Sequence, residues 1–348
     1  MPSWVWLAVT LGAWAPPPCG EFVVEGAFER IVEFEQVHYV ESESGEGYVV
    51  DLDARFAMPL DGPGQRFRGG LVDTDAETVF DAHRNAVARF RRAELHPGEE
   101  VVSRWKGVAV IGDRRHRVDR RGLLPLTAIP GPVARRYLRD GERYGLHDAR
   151  LRDVAARARA EATDALDLAW RLNEAVRARL AYKRDGRWDP APKVWETGEG
   201  SCSEYHFVFA ALCRLAGLPC RFVGATAFRA AEETEEYVDT VYHRWSEVWL
   251  PGYGWFPVDV SRNDAEDGEK INAAFGRTSR RLLVLSVGDG GDHELLGWSY
   301  FAETRHRARG DGALRVRRRV RWLKSDPDAD APTASADSRP AAPAAAPR

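Results

Sequence analysis

Cysteine is scarce in this chain of 348 residues, and charge of either sign is nearly cancelled. The four cysteines, Cys19, Cys202, Cys213 and Cys220, are too few for a disulfide scaffold, so each is judged singly. With 50 Lys+Arg against 53 Asp+Glu the formal net charge is −3, which excludes a globally basic nucleic-acid binder and a highly charged disordered chain. Past the first residues no run approaches the ~20 apolar residues that cross a bilayer. There is no internal repeat. What is present is 44% hydrophobic and 10% aromatic residues, enough for a large core and two or three domains.

The two ends differ from the rest. Residues 1–20 carry an apolar stretch with Ala13-Trp14-Ala15 as a small-x-small site, the pattern of a signal peptide. No basic residue precedes that stretch and Pro16 follows it directly, which runs against cleavage. Export to the periplasm or exterior is the expectation, with a membrane-tethered or cytoplasmic form as the alternative. Residues 325–348, rich in Ala, Pro, Asp and Ser, predict a disordered tail.

Between the ends, residues 21–125 read as β. Tyr48, Val50, Leu52, Ala54 and Phe56 alternate with mostly charged residues, and weaker patterns run over 28–40, 86–90 and 101–111. A β-sandwich or open antiparallel sheet follows, then a linker over 126–144. From 145 to 265 the pattern is α+β. An apolar stripe steps by three or four from Leu151 to Leu180, and a second helix starts at Ser201-Cys202 and stops at Gly217. Strands follow over 220–228, 241–250 and 255–260, and further strands over 266–324 are expected to complete this core.

Chemistry concentrates in three segments. In Gly200-Ser201-Cys202 a glycine-containing turn delivers a thiol to the first turn of an apolar helix, where unpaired N–H groups and the helix dipole favour a thiolate and a neighbouring oxyanion. Cys213, in mid-helix, and Cys220, opening a strand, read as small buried residues. A thiolate enzyme also needs a base and a group to orient it. His243 and Asp259 lie on strands joined by the tight Leu250–Gly254 connection, so an imidazole and a carboxylate should meet across a hairpin.

Gly200-x-Cys202, the helix after it, Leu218-Pro219-Cys220-Arg221, His243-x-Trp245-x-Glu247 and Gly254-Trp255-x-Pro257-Val258-Asp259 together resemble the transglutaminase-like superfamily, a papain-like group of cysteine acyltransferases and hydrolases. The resemblance implies an α+β core with a helix N-terminal Cys packed on an antiparallel sheet, here preceded by the β domain. It also implies Cys202 as nucleophile, His243 as base and Asp259 as orienting acid, acting on a protein or peptide amide through a thioacyl-enzyme without cofactor or metal. Hydrolysis is expected over cross-linking, because no calcium-loop signature accompanies the motifs. A non-catalytic binding or assembly module at the cell envelope is the alternative. For a further oxyanion donor, Tyr182, Trp188 and Trp195 are candidates.

Three other features have bland readings. Cys202, His206, Cys213 and Cys220 lack the paired Cys-x₂₋₄-Cys spacing of zinc sites. The five acids of 232–239 suggest a solvated loop, or else a rim for cationic substrates. Arg315, Arg317, Arg319 and Arg321 alternate along one strand and suggest a solvated sheet edge rather than a nucleic-acid site.

Overall fold

The computed structural model of the chain describes residues 19–72, 74–264, 272–290 and 295–325. The expected leader and tail therefore lie outside the described residues, apart from positions 19, 20 and 325.

Six strands come first: β1 (Gly20–Glu41), β2 (Tyr48–Met58), β3 (Gln65–Val72), β4 (Glu77–Phe80), β5 (Ala86–Leu95) and β6 (Glu100–Val118). A helical stretch follows with α1 (Gly131–Tyr137), α2 (Ala149–Glu161), α3 (Ala165–Arg179), the short β7 (Ala181–Tyr182), α4 (Ala191–Thr197), β8 (Glu199–Gly200) and α5 (Cys202–Leu215). Then come β9 (Cys220–Ala227), β10 (Glu236–Asp239), β11 (His243–Leu250), β12 (Gly254–Val258) and α6 (Val260–Asn263). The last strands are β13 (Arg277–Thr278), β14 (Leu282–Gly288), β15 (Ala302–Arg309) and β16 (Ala313–Leu323).

Two antiparallel sheets form a sandwich. One runs β10-β16-β1-β6-β13, with β3 also on β6, and the other runs β15-β2-β5-β4. In β2 Val50, Leu52, Ala54 and Phe56 are buried as expected, but Val49, Arg55 and Ala57 are buried as well, so burial does not alternate along the strand. Phe34 of β1 stacks on Phe56 at 5.0 Å and on Trp105 of β6 at 5.8 Å between the sheets. Each such ring contributes about 1.5–3 kcal/mol by leaving water.

Of the strands expected to complete the α+β core, only β14 joins its sheet, whereas β15 pairs with β2 and β16 with β1. Side-chain complementarity explains the second pairing. Val320 and Trp322 lie opposite Phe34 and Val32, while Arg319 and Arg321 lie opposite Glu35 and Glu33. Arg315, Arg317 and Arg319 stand where β16 pairs with β1 alone, the exposed edge expected, whereas Arg321 has β10 on its other side. These arginines pair with Glu41, Glu100, Glu35 and Glu236 at 2.6–3.0 Å.

The core is a four-stranded sheet, β12-β11-β9-β14, covered by helices. The single stripe expected from Leu151 to Leu180 is two helices, because Asp164 takes an extended backbone and caps α3 by accepting from the Asp167 N–H at 2.8 Å. Helix α5 runs through the middle. From Cys202 to Arg214 every residue is buried, the polar Ser203, Glu204, His206 and Arg214 among them. It ends where expected: Gly217 has φ +77°, and the N–H groups of Gly217 and Leu218 bond to the Arg214 and Cys213 carbonyls in a Schellman motif.

Candidate active site

Cys202 is the first residue of α5, and Ser201 before it is extended. The turn is held by Glu204, whose carboxylate accepts from the Ser201 N–H at 2.8 Å and the Asp189 N–H at 3.1 Å. Gly200 is needed there, since a Cβ would lie 2.7 Å from the Glu204 Cβ. These bonds aim the open end of α5, and Cys202 with it, at a cleft of about 340 Å³.

The hairpin of β11 and β12 forms as expected, with Ser246 opposite Val258 and Leu250 opposite Gly254. Asp259 lies just past its end. It was expected on the strand, but β12 stops at Val258 and Asp259 caps the short α6 through the Arg262 N–H. From there its Oδ2 reaches His243 Nε2 at 2.6 Å. Cys202, His243 and Asp259 are 8%, 8% and 3% exposed, so all three titrate in a low-dielectric setting.

The protonation states follow from that contact. Burial opposes the charged form of His243, but the Asp259 carboxylate and the Cys202 thiol more than offset it, and the pKa is raised to about 9. Burial likewise opposes ionisation of Cys202. A hydrogen bond to His243, its charge and the backbone N–H of Arg244 outweigh it, so the thiol is lowered from its ordinary value. With Nε2 engaged by Asp259, Nδ1 is the ring nitrogen left for Cys202. By contrast, burial raises Cys213 well above the usual thiol range.

A second histidine converges on the same carboxylate. His206, one helical turn after Cys202, is fully buried, with Nδ1 2.9 Å from Ser246 Oγ and Nε2 3.4 Å from Asp259 Oδ1. Burial lowers its pKa, so the ring is neutral at pH 7 and donates from Nε2 to Asp259 while Nδ1 accepts from Ser246. Ser261 Oγ donates to the same Oδ1 at 2.9 Å. The i, i+4 spacing from Cys202 puts His206 on the right helix face, but its partner Asp259 comes from a distant segment that sequence spacing does not reveal.

Of the three oxyanion candidates, Tyr182 and Trp188 line the cleft. Burial, and then the nearby Cys202 thiol, raise the Tyr182 phenol above its ordinary range. Trp195 instead packs against the helical core, with Arg179 over its ring. Arg244, which sequence reasoning passed over, is buried beside the site. Its guanidinium sits over Tyr300 at 4.5 Å and Trp188 at 4.9 Å.

Residues 152–260 match the family model described as the transglutaminase-like superfamily. The fold is shared with a candidate cysteine protease from Cytophaga hutchinsonii, at a TM-score of 0.60 and 12% identity over 88% of this chain and 94% of that one. The periplasmic domain of TgpA from Pseudomonas aeruginosa is a more distant likeness, with a TM-score of 0.36 and 16% identity over 71% of this chain and 94% of that one. A curated relative of unknown role from Haemophilus influenzae is 32% identical over 84 residues, 19% of this chain and 23% of the relative. The match thus spans under a quarter of that protein's length. Among the described residues no helix is long and apolar enough to cross a membrane.

Proposed function

We propose that Cys202, His243 and Asp259 act as a catalytic triad that cleaves amide bonds of a peptide or protein, with water as the acyl acceptor. The observation that carries this reading is the buried His243–Asp259 contact of 2.6 Å beside a thiol whose pKa is lowered by the same imidazole. The thiolate Sγ bonds to the amide carbonyl carbon, and N–H groups at the start of α5 are placed to receive the oxyanion. The C–N bond then breaks as the His243 imidazolium gives its proton to the leaving amine. Water attacks the thioester with neutral His243 taking its proton, which releases a carboxylic acid and restores the starting pair. Asp259 holds the ring's orientation and stabilises its charged form. Water is preferred to an amine because no calcium-loop signature accompanies the motifs. Export of the enzyme is part of the proposal, supported by the apolar segment that ends in Ala13-Trp14-Ala15 and tested by cell fractionation.

The test is alkylation of the native protein across pH, read by peptide mass spectrometry at each cysteine. Cys202 should react fastest well below pH 8 and lose that advantage in His243→Ala. Equal, slow reaction of Cys202 in both proteins would overturn the reading. Added hydroxylamine during turnover of a labelled peptide then separates release to water from release to an amine.

A further inference from the structure

The five acids of 232–239 suggested a solvated loop or else a rim for cationic substrates, and four of them are paired with cations. Glu232 pairs with Arg280, Glu235 with Lys324 and Glu236 with Arg321, each at 2.8 Å. Buried Asp239 accepts from Arg229, Thr226 and the N–H groups of Ala227, Val241 and Tyr242. Among the described residues, the charged side chains lining the cleft are two arginines, Arg184 and Arg318.

Arg318 is the informative one. It lies on the inward side of β16, in line with Leu314, Val316, Val320 and Trp322, where its neighbours are apolar. A half-buried guanidinium on such a face is costly unless a counter-charge meets it. Its Nε donates to Gln36 and its Nη2 to Thr304 at 3.2 Å, both neutral acceptors. Glu303 acts on it only at longer range. Among the described residues no carboxylate lies within ion-pair distance of either cleft arginine. Behind the cleft wall Arg244 adds a third cation held by rings rather than by an acid. Next to Arg318 stands a flat apolar wall, Tyr242 stacked on Phe301 at 4.0 Å. The Tyr242 hydroxyl is buried with no hydrogen-bond partner among the described residues. Tyr242 also holds a left-handed backbone, φ 55°, immediately before His243, a strained geometry of the kind kept at ligand sites.

We propose that the cleft selects an amide substrate that carries a carboxylate near the scissile bond, received by Arg318 and flanked by the Tyr242–Phe301 wall. This inference rests on the triad reading for the scissile bond but not for the charge preference. The carboxylate has two chemical sources, an acidic side chain on the acyl side or the free C-terminus of a short leaving peptide.

The experiment compares alkylation of Cys202 by iodoacetate and by iodoacetamide, each rate normalised to glutathione. The two reagents differ in charge, so the ratio of rates reads the potential in the cleft however fast the thiol is, while the absolute rate tests the thiolate. We expect the ratio to favour iodoacetate about tenfold, to fall severalfold in Arg318→Gln and to be retained in Arg318→Lys. The imidazolium attracts iodoacetate in every variant, so the fall in Arg318→Gln is the discriminating result. An unchanged ratio there, or a wild-type ratio no higher than that of glutathione, overturns the proposal. If Arg318→Gln does not fold, Arg184→Gln at its exposed position must lower the ratio instead, and no change overturns the proposal. N-acetyl-Phe-Glu amide and N-acetyl-Phe-Gln with a free C-terminus, used to protect Cys202 from iodoacetamide, distinguish the two carboxylate sources. Protection by neither beyond that of neutral N-acetyl-Phe-Gln amide overturns the substrate class while leaving the triad reading intact.

Discussion

In the proposed triad, Asp259 sets the pH range through its contact with His243. His243 is raised to about 9 and Cys202 is lowered, so the thiolate–imidazolium pair has its upper limit near pH 9. Above that the imidazole loses the proton the leaving amine needs, so kcat/KM should fall as pH rises through 9. Asp259→Asn removes the carboxylate and leaves Cys202 alone to oppose burial. The alkaline limb should then move down by at least about one pH unit, with a loss of activity on the order of 10³–10⁴ by analogy with other triads. A limb that stays at pH 9 in the variant would mean that another group supports His243. His206 and Ser261 belong to the same unit, because they hold the oxygen of Asp259 that faces away from His243.

At the scale of elements, the helix N-terminus and the loop before it depend on one buried side chain. Glu204 ties the Ser201 N–H at the start of α5 to the Asp189 N–H of the loop that lines the cleft. Glu204→Ala leaves both donors without their acceptor. It should cost about 1–3 kcal/mol in urea unfolding and slow Cys202 alkylation, whereas Glu204→Gln, which keeps one acceptor oxygen, should lose less on both counts. Alkylation that is unaffected in the alanine variant would mean that the helix start is held by the surrounding core alone.

Across the whole molecule, the β-sandwich and the α+β core are interlocked by the chain's route. Strand β16 is registered with β1 over eleven positions, and β10, which leaves the core, pairs with its other edge. Strand β15 closes the second sheet against β2. A chain ending at residue 300 should therefore lose both halves together, exposing Val32, Phe34 and Phe56 on open sheet edges that invite aggregation. The intact protein should unfold in one urea transition, followed in parallel by tryptophan fluorescence and by Cys202 accessibility. Two separated transitions would show that the sandwich stands without the core.

Local patterns in the amino-acid order were enough for much of this. The buried Val50, Leu52, Ala54 and Phe56 of β2, the start of α5 at Cys202, Gly217 as its left-handed stop and the meeting of His243 with Asp259 near a hairpin are short-range properties, written in periodicity and turn chemistry. The family resemblance of residues 152–260 rests on the same compact motifs. What only the tertiary structure decided involves partners far apart in the chain. The glutamates that pair with the exposed arginines of β16 were not legible until β1 and β10 supplied them, and neither were the partners of Glu232, Glu235, Glu236 and Asp239, which are Arg280, Lys324, Arg321 and Arg229. His206 joined the site because Asp259 turned onto a helix cap instead of staying on its strand. Arg318 stood out once its neighbours were known to be uncharged. The physical reason is common to all four: the effect of a charge depends on which groups surround it, and packing of distant segments chooses those groups.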